Sequence, residues 1–155
     1  MIRVLVVCLG NICRSPMAAS VLQGELERRG LQARVEVDSA GTHGAHAGER
    51  ADRRAVQLTS GRGYSHILSE RSRRVTEADY ERFDLILAMD RHNLACLRER
   101  CPPEHHHKLH LFLAFAGVDE AGEVPDPYYG PAEGFEVVLS LIERAVPGVI
   151  ERLPL

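Results

Sequence analysis

The run Ile2-Arg3-Val4-Leu5-Val6-Val7 passes directly into Cys8-Leu9-Gly10-Asn11-Ile12-Cys13-Arg14-Ser15-Pro16, and that junction limits the folds open to this chain. A short β-branched and leucine-rich stretch reads as a strand buried on both faces. Ser15 is a favoured N-cap type, and Pro16 is favoured at the first helical position. Beyond them Ala18, Val21, Leu22 and Leu26 fall on one helical face before Gly30 ends the pattern. Gly10 and Asn11 are residue types that tolerate positive φ, as a loop curling its N–H groups inward requires. The unit is a strand, a tight loop and a helix.

The same alternation continues along the chain. Strand-like runs are expected over 2–7, 34–38, 84–89 and 108–113, and helices over 16–29, 51–60, 76–83, 91–99 and from Ala132 onward. Strands alternating with helices imply an α/β fold of three layers, a parallel sheet with helices on both faces. In the last helix Phe135, Val138, Leu139, Ile142, Val146 and Val149 recur at helical spacing, so it covers the sheet. Pro147 lacks a donor inside that pattern, and a kink or break is expected near Val146. At 155 residues the chain suits a single domain, 1–155, with a sizeable core. A net charge of −3 argues against nucleic-acid binding by bulk attraction. No basic leader or membrane-length apolar run is present, and four cysteines lack a disulfide-framework spacing, so a cytoplasmic protein is expected.

In such sheets ligands sit beyond the carboxyl ends of the strands, where Cys8 falls. A thiol, five residues and an arginine at a strand–helix junction can hold a phosphate against a sulfur nucleophile. Loop N–H groups and the helix start supply partial positive charge, and the arginine supplies a planar two-pronged cation. Cys8 is therefore expected to react as a thiolate, aided by the loop amides and the Ser15 hydroxyl. Attack on phosphorus leaves an alkoxide or phenoxide in need of a proton, so a carboxylic acid must reach the same point. The best candidate is Asp126 in Val124-Pro125-Asp126-Pro127-Tyr128-Tyr129-Gly130. Two prolines fix its backbone, and Tyr128 and Tyr129 can wall an aromatic substrate. No metal or cofactor is required.

With Asp38-Ser39-Ala40-Gly41-Thr42 and Phe83-Asp84-Leu85-Ile86-Leu87-Ala88-Met89-Asp90 between these motifs, the chain resembles the low-molecular-weight protein-tyrosine phosphatases over nearly its whole length. The resemblance implies a four-stranded parallel sheet in the flavodoxin-like order 2-1-3-4. It implies Cys8 as nucleophile, Arg14 as phosphate clamp and Asp126 as general acid and base. Asn11, Ser15 and Ser39 would form a network shaping the loop of Leu9, Gly10, Asn11, Ile12 and Cys13. The implied partners are phosphotyrosine-bearing proteins, a tyrosine kinase among them, with neither nucleic acid nor membrane, and a monomer or weak homodimer.

Two departures stand out. Relatives usually carry a network histidine where Ser69-Glu70-Arg71-Ser72 places Glu70, with His66 nearby but out of register. Either His66 reaches in, or the network is altered. Ala45 occupies a rim position where relatives commonly have an aromatic ring, so a wider mouth is expected.

Three other readings stay open. The related protein-arginine phosphatases carry a threonine at the position of Ile12, whose branched bulk favours phosphotyrosine. The thioredoxin-coupled arsenate reductases use a cysteine relay, for which Cys96 and Cys101 are candidates, but Met89 stands where the relay cysteine is expected. A non-catalytic phosphate-binding module would have lost one of Cys8, Arg14 and Asp126. Cys13 could trap an oxidised Cys8 as a disulfide or simply pack beneath the loop. His105, His106, His107 and His110 lack convergent ligand spacing and read as a solvated loop, as do Arg71 to Arg74.

Overall fold

The structure is a computed structural model describing residues 1–119 and 122–155. Four parallel strands, β1 (Ile2–Cys8), β2 (Val35–Gly41), β3 (Leu85–Ala88) and β4 (Leu109–Leu111), lie in the order β2-β1-β3-β4. Between and after them run α1 (Arg14–Arg28), α2 (Arg53–Gly61), α3 (Glu77–Arg82), α4 (Arg91–Arg100), α5 (Phe112–Phe115) and α6 (Glu133–Glu151), with 3-10 turns at Ser65–Ser69 and Pro103–Lys108.

The unbroken apolar run of β1 has a physical explanation. Successive side chains point to opposite faces of a strand, and here both faces are covered. Val4, Val6 and Cys8 join one core cluster with residues of α1, α5 and α6. Leu5 and Val7 join a second with Tyr80, Phe83 and Leu97. β3 divides the same way, Leu87 to the first cluster and Ile86 and Ala88 to the second. Val4 through Val7 are wholly buried, each side chain contributing roughly 1.5–3 kcal/mol. The central strand that carries Cys8 is thus the most firmly held element of the sheet.

Several expectations need correction. α1 begins at Arg14, two residues before Pro16, with Cys13 at its N-cap position; the Ser15 hydroxyl is used by the site and not as a cap. β2 runs on to Gly41, because its last residues pair with Val6, Val7 and Cys8 of β1. The run expected as a strand over 108–113 is only three residues of strand, after which Phe112 and Leu113 turn into α5 and pack against α6. Continuous apolar stretches do not distinguish strand from helix, and here Gly117, at φ 74°, stops the helix. α6 continues through Pro147 without a break, its buried residues Ile142, Val146 and Val149 holding both halves against the core. After Pro147, Gly148 approaches so closely that a Cβ there would meet the Ala116 carbonyl oxygen.

Candidate active site

The loop between β1 and α1 is shaped from three sides. Asn11 adopts φ 57°, the left-handed conformation that asparagine tolerates, while Gly10 lies outside that region, contrary to expectation. What Gly10 supplies is room, since a Cβ there would stand 3.2 Å from the His46 ring. The strip Arg71–Arg74 binds the loop from outside: Ser72 Oγ donates to the Gly10 carbonyl at 2.9 Å, and the Arg73 N–H donates to Asn11 Oδ1 at 2.9 Å. Beyond β2, the N–H groups of Thr42 and His43 donate to the Cys8 and Leu9 carbonyls, both at 2.9 Å. Gly41 permits that approach; a Cβ on it would lie 2.7 Å from the Leu9 oxygen. Asp52, which caps α2, donates its N–H to the Ile12 carbonyl at 2.7 Å.

Inside this frame Cys8 Sγ and Ser15 Oγ are 2.9 Å apart. Asn11 Nδ2 donates to Ser15 Oγ at 2.8 Å and to Ser39 Oγ at 2.9 Å. Ser39 Oγ in turn donates to Glu70 Oε2 at 3.4 Å. The sequence left the network position between His66 and Glu70, and the structure gives it to Glu70. His66 instead pairs with Glu27 at 2.7 Å and acts on Glu70 only through its charge. Burial, with the neighbouring Asp38 charge adding to it, pushes the Glu70 carboxyl up to about 7.

Arg14 is almost wholly buried, yet its charge is well held. Nη1 donates to Asp90 Oδ2 at 2.6 Å and to the Val124 carbonyl at 2.9 Å. Nη2 stands 3.6 Å from Asp126 Oδ2, and Nε is buried with no acceptor among the described residues. One edge of the guanidinium is therefore anchored, and the Nε–Nη2 edge remains for a ligand. That edge has the fork geometry that matches two oxygens of a phosphoryl group. Asp90 was not recognised from sequence; it also caps α4 by accepting the Asn93 N–H at 2.8 Å.

A cavity of about 80 Å³ opens over Cys8 and Arg14. Leu9, Gly10, Ile12 and Cys13 belong to its lining, together with His46, Asp126, Tyr128 and Tyr129. Tyr128 and Tyr129 meet edge to face with centroids 4.8 Å apart, and Tyr129 is 93% exposed. The rim expectation for Ala45 is corrected. Ala45 is exposed and outside the cavity lining, while the next residue, His46, brings its ring to 6.2 Å from Tyr128. The lining thus includes three rings, His46, Tyr128 and Tyr129. Asp126 accepts the Tyr128 N–H at 3.1 Å, and Arg54 braces the segment through the Tyr128 carbonyl at 3.0 Å and through Asp52.

The remaining cysteines and histidines fall elsewhere. Burial, then the Asp52 charge, pushes the Cys13 thiol far up, so it stays protonated at neutral pH. Cys96 lies half-buried on α4 and Cys101 buried at its end, neither lining the cavity, and Met89 is buried beside them in sequence order but not in this pocket. His106 contacts the Cys101 carbonyl and His110 packs near Phe115, 5.4 Å between centroids. No helix among the described residues is long and apolar enough to cross a membrane.

A phosphate-sized cavity with a buried cysteine at its base and a half-anchored arginine beside it defines a phosphatase-type site. The model of the family described as low molecular weight phosphotyrosine protein phosphatase matches residues 3–154. A low molecular weight protein-tyrosine-phosphatase of Streptomyces coelicolor is 41% identical over 151 residues, covering 96% of this chain and 91% of that one. A low molecular weight phosphotyrosine protein phosphatase of Schizosaccharomyces pombe is 41% identical over 137 residues, covering 86% of this chain and 85% of that one. The crystal structure of a protein tyrosine phosphatase from Entamoeba histolytica superposes with a TM-score of 0.92 at 38% identity, covering 98% of this chain and 96% of that one. The chain belongs to the low-molecular-weight protein-tyrosine phosphatase family and has its four-stranded 2-1-3-4 fold.

Proposed function

We propose that the chain hydrolyses phosphotyrosine in proteins, and small aryl phosphates, through a cysteinyl-phosphate in which Cys8 is the nucleophile. The observation that carries this reading is the Nε–Nη2 edge of Arg14 in the cavity that Cys8 also lines, with Nε lacking an acceptor among the described residues and Nη2 3.6 Å from Asp126. The phosphoryl group lies with two oxygens on that edge and the third toward the loop amides. Cys8 sulfur attacks phosphorus in line, forming the S–P bond as the P–O bond to the phenol breaks. Charge spreads over the phosphoryl oxygens in that transition state, where preformed donors gain most.

Asp126 enters protonated and gives its proton to the departing phenoxide. It then takes a proton from the water that attacks the cysteinyl-phosphate, releasing inorganic phosphate and the free thiolate. Its carboxylate, 3.6 Å from Arg14 and in the lining of the same cavity as Cys8, supports that role. His46, Tyr128 and Tyr129 offer aromatic faces to the ring of the substrate. No step calls on a metal or cofactor. A phosphotyrosine-bearing protein, a tyrosine kinase among the candidates, is the partner this site suits, met in the cytoplasm by a monomer or weak homodimer.

Hydrolysis of a phosphotyrosine peptide in excess chelator, wild type against Cys8→Ser, tests this. Turnover that survives chelation and vanishes in the variant is expected. Turnover retained by Cys8→Ser would sink the covalent mechanism.

A further inference from the structure

We propose that Glu70 is a positioning residue for the nucleophile, its carboxylate competing through Ser39 for the Asn11 amide that supports Ser15 and Cys8. The inference rests on Cys8 being the nucleophile, as proposed above, and deepens that reading.

The direction of the hydrogen bonds follows from one constraint. Asn11 Oδ1 accepts the Arg73 N–H, so the other edge of the amide can only donate. Its two protons go to two hydroxyl oxygens, Ser15 Oγ at 2.8 Å and Ser39 Oγ at 2.9 Å. Each hydroxyl accepts from Asn11 and keeps one proton to place. Ser15 has Cys8 Sγ at 2.9 Å and the Ala40 carbonyl at 3.4 Å, so the sulfur is its nearer partner. Ser39 has Glu70 Oε2. One amide therefore feeds two arms, one ending on the nucleophile and the other on a carboxylate.

Hydrogen bonds in such a chain polarise one another. An ionised Glu70 draws the Ser39 proton and makes Ser39 Oγ a stronger acceptor, which pulls the Asn11 amide toward that arm. Negative charge on Glu70 thus opposes negative charge on the sulfur. A neutral side chain at position 70 returns the amide to Ser15 and Cys8.

The charged groups around Glu70 leave it with no dedicated partner. Asp38 of β2 repels it, and Arg73 is divided between Asp38 at 3.1 Å and Asp79 at 2.9 Å. His66, on the 3-10 turn, is turned toward Glu27 of α1. Burial together with Asp38 brings the carboxyl to about 7, so both protonation states are populated at neutral pH.

The test is the pH profile of Cys8 alkylation by iodoacetamide, with the modified residue identified by mass spectrometry. It compares wild type, Glu70→Gln, Ser39→Ala and the double variant, each checked for folding by circular dichroism. Glu70→Gln keeps an acceptor for Ser39 and removes the charge. It is expected to reach half-maximal alkylation at a proton concentration several-fold higher than wild type, and to add nothing in the Ser39→Ala background. Superimposable profiles for wild type and Glu70→Gln, or an undiminished shift in the Ser39→Ala background, would overturn the proposal. If Glu70→Gln does not fold, Glu70→His gives the same reading, with a shift in the same direction expected and no shift counting against it. Alkylation needs no turnover. A failed hydrolysis assay therefore strikes the proposed function alone, and the alkylation profile alone decides the role of Glu70.

Discussion

The Arg14 guanidinium donates to the Asp90 carboxylate at 2.6 Å across 76 positions of sequence, joining the start of α1 to the start of α4. Arg14 is 2% exposed and Asp90 20%, so the pair lies largely out of water. Removing one partner of such a pair strands the other charge, which costs more than the pair contributes.

Asp90→Ala is accordingly expected to lower stability by roughly 3 kcal/mol, the lower end for a broken buried pair because Asp90 is partly solvated. Asp90→Asn keeps the α4 cap and an acceptor for Arg14 and should lose about half as much. Both should reduce kcat/KM, by up to about 10²-fold if the Nε–Nη2 edge turns away from the phosphoryl site. Urea denaturation and steady-state kinetics on the same samples check the two effects.

Asp126→Asn separates proton donation from binding. Loss of a general acid typically lowers rates by about 10²–10⁴-fold. The loss should be greatest for poor leaving groups and small for a nitrophenol, which departs without a proton. A series of aryl phosphates of graded leaving-group acidity checks this, and equal losses across the series would remove Asp126 from the acid role.

Glu70 predicts the pH dependence of stability. Its carboxyl is raised to about 7 in the folded chain, above the ordinary carboxylate range of the unfolded one. The folded state therefore binds more protons than the unfolded state between those two values. Stability from this group is full below the unfolded value and is lost as pH rises through about 7. Discounting for partial exposure, the loss is on the order of 2 kcal/mol. Glu70→Gln should be more stable than wild type at pH above 8 by about that amount, with the gap closing toward about pH 5, followed by urea midpoints across the range.

Gly41→Ala tests the wall behind the loop. Its new methyl would lie 2.7 Å from the Leu9 carbonyl oxygen, a backbone atom that cannot swing aside. A loss of about 1–3 kcal/mol is expected from overpacking, with a fall in kcat as the loop is displaced. Thermal melting and aryl phosphate turnover check it.

Much of this was readable from sequence because local signals and global packing agree at the β1–α1 junction. The apolar run, the positive-φ asparagine and the helix that follows point one way, and the Cys8–Arg14 spacing inherits that certainty. What escaped was set by distance or by loops. Asp90 reads locally as a helix cap, and nothing near it announces an arginine 76 positions away. The stretch 42–50 has no hydrophobic period, so Ala45 and His46 could not be told apart as rim residues. Ser15 has the chemistry of a cap, but the hydroxyl goes to sulfur because Cys8 ends the adjacent strand. Phe112 and Leu113 continue an apolar run that tertiary packing, not propensity, bends into a helix.

Arg14 is held by the Val124 carbonyl, 110 positions downstream, and the same stretch of backbone carries Asp126. During synthesis the phosphate cradle therefore emerges from the ribosome long before the residues that complete it. A chain halted before Val124 would lack one of the two acceptors of Arg14 Nη1 and the Asp126 carboxylate beside Nη2. The segment just ahead of α6 thus brings two groups to the arginine at once, a backbone carbonyl and a carboxylate, and the last helix that closes the core follows directly behind it.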